Sequence, residues 1–184
     1  MLRFRTLAAV ALIAPALLFA VGCYETQYPL GSPDKATVDP AYVGDYLVPK
    51  DKDNDKPLSI VVRNIDDHLC YVEWRSGEDQ PDRRVGYSAD VNGVTFANLR
   101  DLTDDGSIEK KFLVMRVSLS ADHTKLSFRN LKEEFFKDKN INSSDALEAV
   151  IAANLENDQM YDGPPVVATR VVPATQKSAT GSGM

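Results

Sequence analysis

Apolar and polar side chains alternate with a period of two along most of the chain between residues 43 and 172. The apolar positions are Leu58, Ile60 and Val62; Cys70, Val72 and Trp74; Val85, Tyr87 and Ala89; Val94 and Phe96; Leu113, Met115, Val117 and Leu119; Leu126 and Phe128. A period of two predicts strands with one apolar and one solvated face. With a first strand near 43–48 and a last one near 166–172, the pattern predicts about eight strands.

Turn sequences separate these strands at short, regular intervals. Asn92-Gly93 is a strong signal for a two-residue hairpin, and Asp104-Asp105-Gly106 marks another reversal. Short, even spacing favours a mainly β fold, a small antiparallel up-and-down β-barrel. A β-sandwich produces the same alternation and is the alternative.

One helix interrupts the strands before the last of them. Ser143-Ser144-Asp145 offers N-cap residues, and apolar residues then recur at helical spacing, at Leu147, Val150, Ile151 and Leu155. Such a helix has one apolar face to cover. We therefore expect it to pack against the barrel.

The first 22 residues follow a different pattern. Arg3 and Arg5 precede a charge-free apolar run that is short for a membrane span, which needs about 20 apolar residues, and suits a signal peptide. The run ends in Ala20-Val21-Gly22-Cys23, which resembles the bacterial lipobox, although Ala20 stands where Leu is commonest. This resemblance implies that residues 1–22 are a lipoprotein signal peptide and that Cys23 carries acyl chains, palmitate among them, as a membrane anchor. An ordinary signal peptide or an uncleaved anchor, with an incidental cysteine, is the alternative.

The composition divides the remaining chain into three parts. Residues 23–40 contain Pro29 and Pro33 and few large apolar side chains, which predicts a lipidated cysteine followed by a flexible tether. The β-barrel domain is expected over 41–172. Residues 173–184 are small, polar and aperiodic and predict a disordered tail.

The charge balance excludes some partners. Without the two arginines of the signal peptide, 19 basic and 27 acidic side chains leave a formal charge of −8. An acidic protein does not suit nucleic acid or electrostatic docking on anionic lipid, so the acyl chains on Cys23 would hold it at the membrane unaided. Once Cys23 is acylated, only Cys70 remains, and no intramolecular disulfide can form. We expect a monomer stabilised by its hydrophobic core.

The first expected strand carries a further resemblance. In Val43-Gly44-Asp45-Tyr46, Gly44-x-Tyr46 resembles the Gly-x-Trp element of lipocalins, with Tyr in place of Trp. The eight-strand meander and the helix before a final strand are also similar to that family. The resemblance implies a lipocalin-like barrel over 41–172, with Arg170 of the last strand lying over the ring of Tyr46 at a closed end.

Candidate chemistry is sparse. Asp51-x-Asp53-x-Asp55 and the stretch from Asp101 to Phe112 each match part of a calcium loop, but neither has a Glu at the twelfth position. The only histidines, His68 and His123, lack further ligands at metal spacing, and no nucleophile or phosphate-loop motif occurs. We therefore expect no metal, no cofactor and no enzymatic activity.

Large side chains on the apolar faces are expected to line the lumen or fill the core. They are Tyr46, Trp74, Tyr87, Phe96, Met115 and Phe128. A filled barrel predicts a non-catalytic, lipid-anchored envelope lipoprotein that acts through protein-protein or structural interactions. The alternative is lipocalin-like binding or carriage of a small apolar ligand in the lumen. Either protein would be extracytoplasmic and membrane-anchored, at the outer membrane if the organism has one.

Overall fold

The computed structural model describes residues 23–50 and 55–171, and the expected signal peptide and tail lie outside the described residues. The strands are β1 (Glu25–Thr26), β2 (Gly44–Val48), β3 (Leu58–Asn64), β4 (Cys70–Ser76), β5 (Asp82–Val91), β6 (Val94–Asp101), β7 (Phe112–Leu119), β8 (Lys125–Asn130) and β9 (Val166–Arg170). The α-helices are α1 (Glu133–Phe136) and α2 (Ser144–Ala152), and single 3-10 turns span Pro33–Lys35, Pro40–Tyr42 and Asp158–Met160.

The eight strands from β2 to β9 form a closed antiparallel barrel in which each strand pairs with the next. β9 pairs with β8 on one side and β2 on the other, so the first and last strands of the barrel meet. The up-and-down barrel is therefore confirmed over the sandwich, which would consist of two separate sheets. β1 is additional: it pairs with Phe112 and Leu113 at the start of β7, beyond the point where β8 ends.

The connections alternate between the two ends of the barrel. The Cys23 end contains Cys23, the hairpin at Gly77 and the loop 102–111. The Tyr42 end contains the turn Pro40–Tyr42 and the hairpin 65–69. The long connection that carries both helices leaves the barrel at the Cys23 end, where β8 finishes and β9 begins.

Side chains from most strands fill the lumen. The buried members of this lumen cluster are Tyr46, Val48, Ile60, Val62, Val72, Leu99, Leu113, Met115, Leu126 and Ala168. On β3, β4, β7 and β8 these residues belong to the apolar faces that the alternation predicts.

A second apolar cluster, the outer cluster, lies outside the wall over β5, β6 and β7. α2 begins after Ser143, whose hydroxyl accepts a hydrogen bond from the backbone of Ala146 at 3.1 Å. Leu147 and Ile151 of α2 are fully buried in this cluster with Phe96 of β6. The helix predicted before the last strand is therefore present. Within the described part of the chain, both helices are too short to cross a membrane.

The outer cluster corrects the sequence prediction for two strands. Phe96, which the alternation places in the lumen, packs in the outer cluster instead, while Ala97 and Leu99 of β6 face inward. On β5, Ala89 also packs outside, and Gly86 lies opposite Leu99. Because the helices cover the wall here, both of its faces are apolar, and a period of two alone does not say which one faces the lumen.

The segment predicted as a flexible tether is packed against the barrel over its first half. Tyr24 stacks on Phe136 with ring centroids 4.2 Å apart, and Leu30 is fully buried. Leu30 is held like a strand residue, because its N–H donates to Asn98 Oδ1 at 2.7 Å and its carbonyl accepts from Asn98 Nδ2 at 3.2 Å. Further along, Val38 N donates to a backbone carbonyl of the 65–69 hairpin. The tether prediction is therefore wrong for this segment, which runs along the wall between the two ends.

Candidate functional site

Cys23 is fixed at one mouth of the barrel. Its backbone forms a β-bridge with Lys132, and the next N–H, that of Tyr24, donates to Leu131 O at 3.1 Å. Its Sγ accepts a hydrogen bond from Asn130 Nδ2 at 3.3 Å. The side chain is half-buried and packs against the lumen cluster. The residue with the strongest sequence signal is therefore packed against one end of the barrel.

The surroundings of Cys23 keep its thiol neutral. Burial raises the pKa of the Cys23 thiol, the carboxylate of Asp162 raises it further, and Arg84 acts in the opposite direction. A reactive cysteine needs a lowered pKa and a basic partner. This position is therefore unsuited to act as a nucleophile.

A charged cluster closes the lumen beside Cys23. The Arg84 guanidinium lies over the Trp74 ring, with Cζ 4.4 Å from the centroid, and its Nε donates to Asp101. The Trp74 indole N–H donates to Asp82 Oδ2 at 2.9 Å. Only 14% of the Arg84 side chain is exposed, and Arg84 lies opposite Val72, on the lumen face of the sheet. The guanidinium therefore covers the apolar interior at this end of the barrel.

The Tyr42 end is closed by another arginine. Arg170 Cζ lies 4.9 Å from the Tyr46 ring centroid, which is the contact that the lipocalin resemblance implies. Its guanidinium donates to the carbonyls of Ala41, Val43 and His123 and to the Tyr46 hydroxyl, at 2.5–2.8 Å. These bonds join β9 and β2 to two neighbouring connections.

Gly44 is required by this arrangement. A Cβ at that position would lie 2.8 Å from Arg170 Nη1, closer than real Cβ atoms approach their neighbours. The glycine of the Gly44-x-Tyr46 element therefore leaves room for the guanidinium that packs on the tyrosine.

The lumen contains a small cavity. Its volume is about 80 Å³, its lining is almost entirely apolar, and it is bordered by Trp74, Met115 and Phe128. Tyr46 lies in the lumen cluster, and Tyr87 borders the cavity although its ring contacts Phe112 edge to face. Ligand sites are usually about 300–1,000 Å³. Of the six residues expected to line the lumen or core, Phe96 lies in the outer cluster, and Tyr87 lies on the outer face of β5, where it pairs with Asn98.

The other cysteine is partly buried in the wall. Cys70 Sγ donates to Gly86 O at 3.4 Å, and burial raises the pKa of the thiol to about 11. Cys70 is thus a structural residue, as its place on the apolar face of β4 indicates.

The remaining candidate metal ligands lie in turns. Asp105 accepts hydrogen bonds from the hydroxyl of Thr103 and the backbone N–H of Ser107, which hold the pKa of its carboxyl near 2. His68 Nδ1 lies 2.7 Å from Ala36 O, and His123 occupies a turn with φ of 57°. The first acidic motif falls partly on residues 51–54, outside the described residues. Across residues 23–50 and 55–171, no three His, Cys, Asp or Glu side chains form a metal site.

Two residues that organise the structure have no obvious signal in the sequence. Arg84 lies on the face of β5 that the alternation predicts to be solvated, and Asn98 is a polar residue on the same face of β6 as Phe96, yet both are held by specific partners. Arg84 faces the lumen because its strand pairs it with the lumen residue Val72, and this register is not visible in the sequence alone.

The chain matches no protein-family model, no curated protein and no solved structure in the comparisons made.

Proposed function

We propose that this protein is a non-catalytic, lipid-anchored lipoprotein of the bacterial cell envelope, in which the barrel is a filled scaffold and the outer surface contacts other envelope components. The observation that carries the proposal is the small lumen cavity, of about 80 Å³. A barrel filled by its own side chains has no room for a cargo molecule of ordinary size.

The charged groups at the mouth support a non-catalytic function. Arg84 is engaged by Asp82 and Asp101, and the two thiols, Cys23 and Cys70, have raised pKa values. Catalysis by proton transfer or nucleophilic attack needs a base poised beside the reacting group. These groups instead hold the fold together.

The lipid anchor is supported by the lipobox-like sequence before Cys23 and by the place of that residue. Cys23 lies partly exposed at the mouth of the barrel, beside Lys132. An acidic protein without clustered basic residues would depend on acyl chains to stay at a membrane.

The anchor is tested by Cys23→Ser in the full chain, expressed in a bacterium that processes lipoproteins. We expect the wild type to incorporate an alkyne-tagged palmitate and to enter the detergent phase, and Cys23→Ser to do neither. Cys70→Ser is the matched control and should behave as wild type. Full partitioning of the Cys23→Ser variant into detergent would refute the anchor.

A second candidate function is the binding of a small apolar ligand in the lumen, which the apolar lining of the cavity favours. We expect a fluorescent fatty acid to show no saturable binding. Saturable binding that disappears in Ala97→Leu, a change that fills the lumen, would favour this alternative.

A further inference from the structure

We propose that the Cys23 end of the barrel lies directly on the membrane surface, with the barrel standing on the headgroups and the Tyr42 end turned away. This inference rests on the proposed acyl anchor at Cys23 and adds to it the face that meets the lipid. A lipid anchor alone sets no orientation, because a flexible tether would let the domain rotate freely.

First, no flexible linker separates the anchor residue Cys23 from the barrel. Cys23 is bridged to Lys132, Tyr24 is hydrogen-bonded to Leu131 and stacked on Phe136, and β1 pairs with β7. No free residue separates the lipid-bearing position from the barrel wall. The bilayer that takes up acyl chains on Cys23 must therefore lie against this end.

The second step is that this end carries side chains suited to an interface. Trp74 is half-buried in the mouth, in contact with Arg84, which in turn lies near Cys23. Ile108, in the loop 102–111, is 44% exposed. Tryptophan prefers the level of the lipid headgroups, and an exposed isoleucine there gains by leaving water.

The third step concerns charge. The acidic protein would be repelled by anionic headgroups if its carboxylates faced them unpaired, but many carboxylates at this end have a basic partner. The pairs are Glu25 with Lys111, Asp79 with Lys56, Asp104 with Arg83, and both Asp82 and Asp101 with Arg84. Local pairing lowers the repulsion on contact.

The two ends are far enough apart to be distinguished. β3 and β4 each contain seven residues, so at about 3.3 Å per residue each of these strands is roughly 20 Å long. Trp74 is the only tryptophan of the chain and lies at the Cys23 end, whereas Ile65 lies at the Tyr42 end and is 53% exposed.

The test uses the processed full chain in phosphatidylcholine vesicles that contain a nitroxide-labelled headgroup lipid. We expect the vesicles to carry the protein upward in a flotation gradient and to quench Trp74 fluorescence strongly. In the double variant Trp74→Phe, Ile65→Trp, we expect equal flotation and at least threefold weaker quenching. The same variant without vesicles should retain its circular dichroism spectrum.

The outcomes separate the two proposals. Failure of the wild type to float overturns the lipid anchor and with it the proposed function. Flotation with quenching that is equal at the two positions, or stronger at position 65, overturns the orientation alone.

A linker variant provides an independent measurement. Ten Gly and Ser residues inserted after Cys23 would have a reach of roughly 17 Å and restore the slack that the native chain lacks. We expect unchanged flotation and a clear loss of Trp74 quenching. Undiminished quenching in this variant would contradict a face held on the membrane by the short anchor.

Discussion

A single guanidinium holds three parts of the chain together at the Tyr42 end. Arg170 of β9 reaches the turn before β2, Tyr46 within β2, and His123 in the hairpin between β7 and β8. Each acceptor satisfies part of a group with five N–H donors, so the interaction combines a cation on an aromatic ring with hydrogen bonds. Gly44 makes the close approach possible.

We expect Arg170→Ala to lower the free energy of unfolding by about 2–3 kcal/mol, because hydrogen bonds to a charged group contribute about 1.5–3 kcal/mol. The loss should be smaller by about 0.5–2 kcal/mol in a Tyr46→Leu background, the usual strength of a cation on an aromatic ring. Urea unfolding of the four proteins measures this coupling. Additive losses would mean that the ring and the guanidinium act independently.

The partly buried thiol of Cys70 predicts a pH dependence. Its pKa is raised from the ordinary 9.0 to about 11, because burial penalises the thiolate. The folded state therefore favours the neutral thiol: the associated stability is fully present below pH 9 and is lost as the pH rises through 11.

Labelling by iodoacetamide can follow this thiol, because Cys23→Ser leaves Cys70 as the only cysteine. At pH 8 about one folded molecule in a thousand would hold the thiolate, so we expect very slow labelling that quickens towards pH 11. The protein unfolded in urea should react at the ordinary rate. Equal rates in the folded and unfolded proteins would contradict the burial of this side chain.

Among the structural elements, the N-terminal segment depends on one buried amide. Asn98 is fully buried on the outer face of β6 and pairs with both backbone groups of Leu30. In Asn98→Leu, these two groups would stay buried without partners, at a cost of about 1–3 kcal/mol each. We expect a loss of about 2–4 kcal/mol and faster hydrogen exchange at Leu30 than in the exposed control Asn142→Leu. Unchanged exchange at Leu30 would show that the segment is held by other contacts.

The elements differ in how far the sequence could predict them. Strands with one covered face, such as β3 with Ile60 and Val62, can be predicted from alternation alone. The helix α2 can be predicted from its N-cap residue and the helical spacing of its apolar residues. β6 does not, because Phe96 and Leu99 are both buried, on opposite faces. Which face a helix covers depends on tertiary contacts that local periodicity does not contain.

The contacts of the N-terminal segment and of Arg84 at the Cys23 end could not be predicted from the sequence, for a different reason. Residues 24–31 contain Pro29 and Gly31, which resemble a linker, and their partner Asn98 resembles a surface residue. A polar side chain that satisfies a distant backbone leaves no periodic signal. The same is true of Arg84, whose lumen-facing position follows from register and not from composition.

At the scale of the whole molecule, the folded unit includes residues from 23–40 and does not begin at Ala41. Removing residues 23–40 would uncover the outer cluster, in which a buried Leu contributes about 1.5–3 kcal/mol and an aromatic pair about 0.5–1.5 kcal/mol. We therefore expect a chain that starts at Ala41 to be about 2–5 kcal/mol less stable than one that starts at Tyr24. Thermal unfolding of the two chains, both without residues 1–22, measures the difference. Equal midpoints would restore the interpretation of this segment as a linker.

The closure of the barrel by its last strand has a kinetic consequence. The bond between Arg170 and Tyr46 joins residues 124 positions apart. The second edge of β2 therefore stays unpaired until β9, at the end of the domain, has been synthesised. Non-local pairings of this kind slow folding, because the entropy of a long loop is lost before the contacts form. During synthesis, the hairpins from β2 to β8 can assemble in order, while the free edges of β2 and β8 stay open to other chains. The time between the emergence of β8 and that of β9 is therefore the interval in which this protein is most exposed to aggregation.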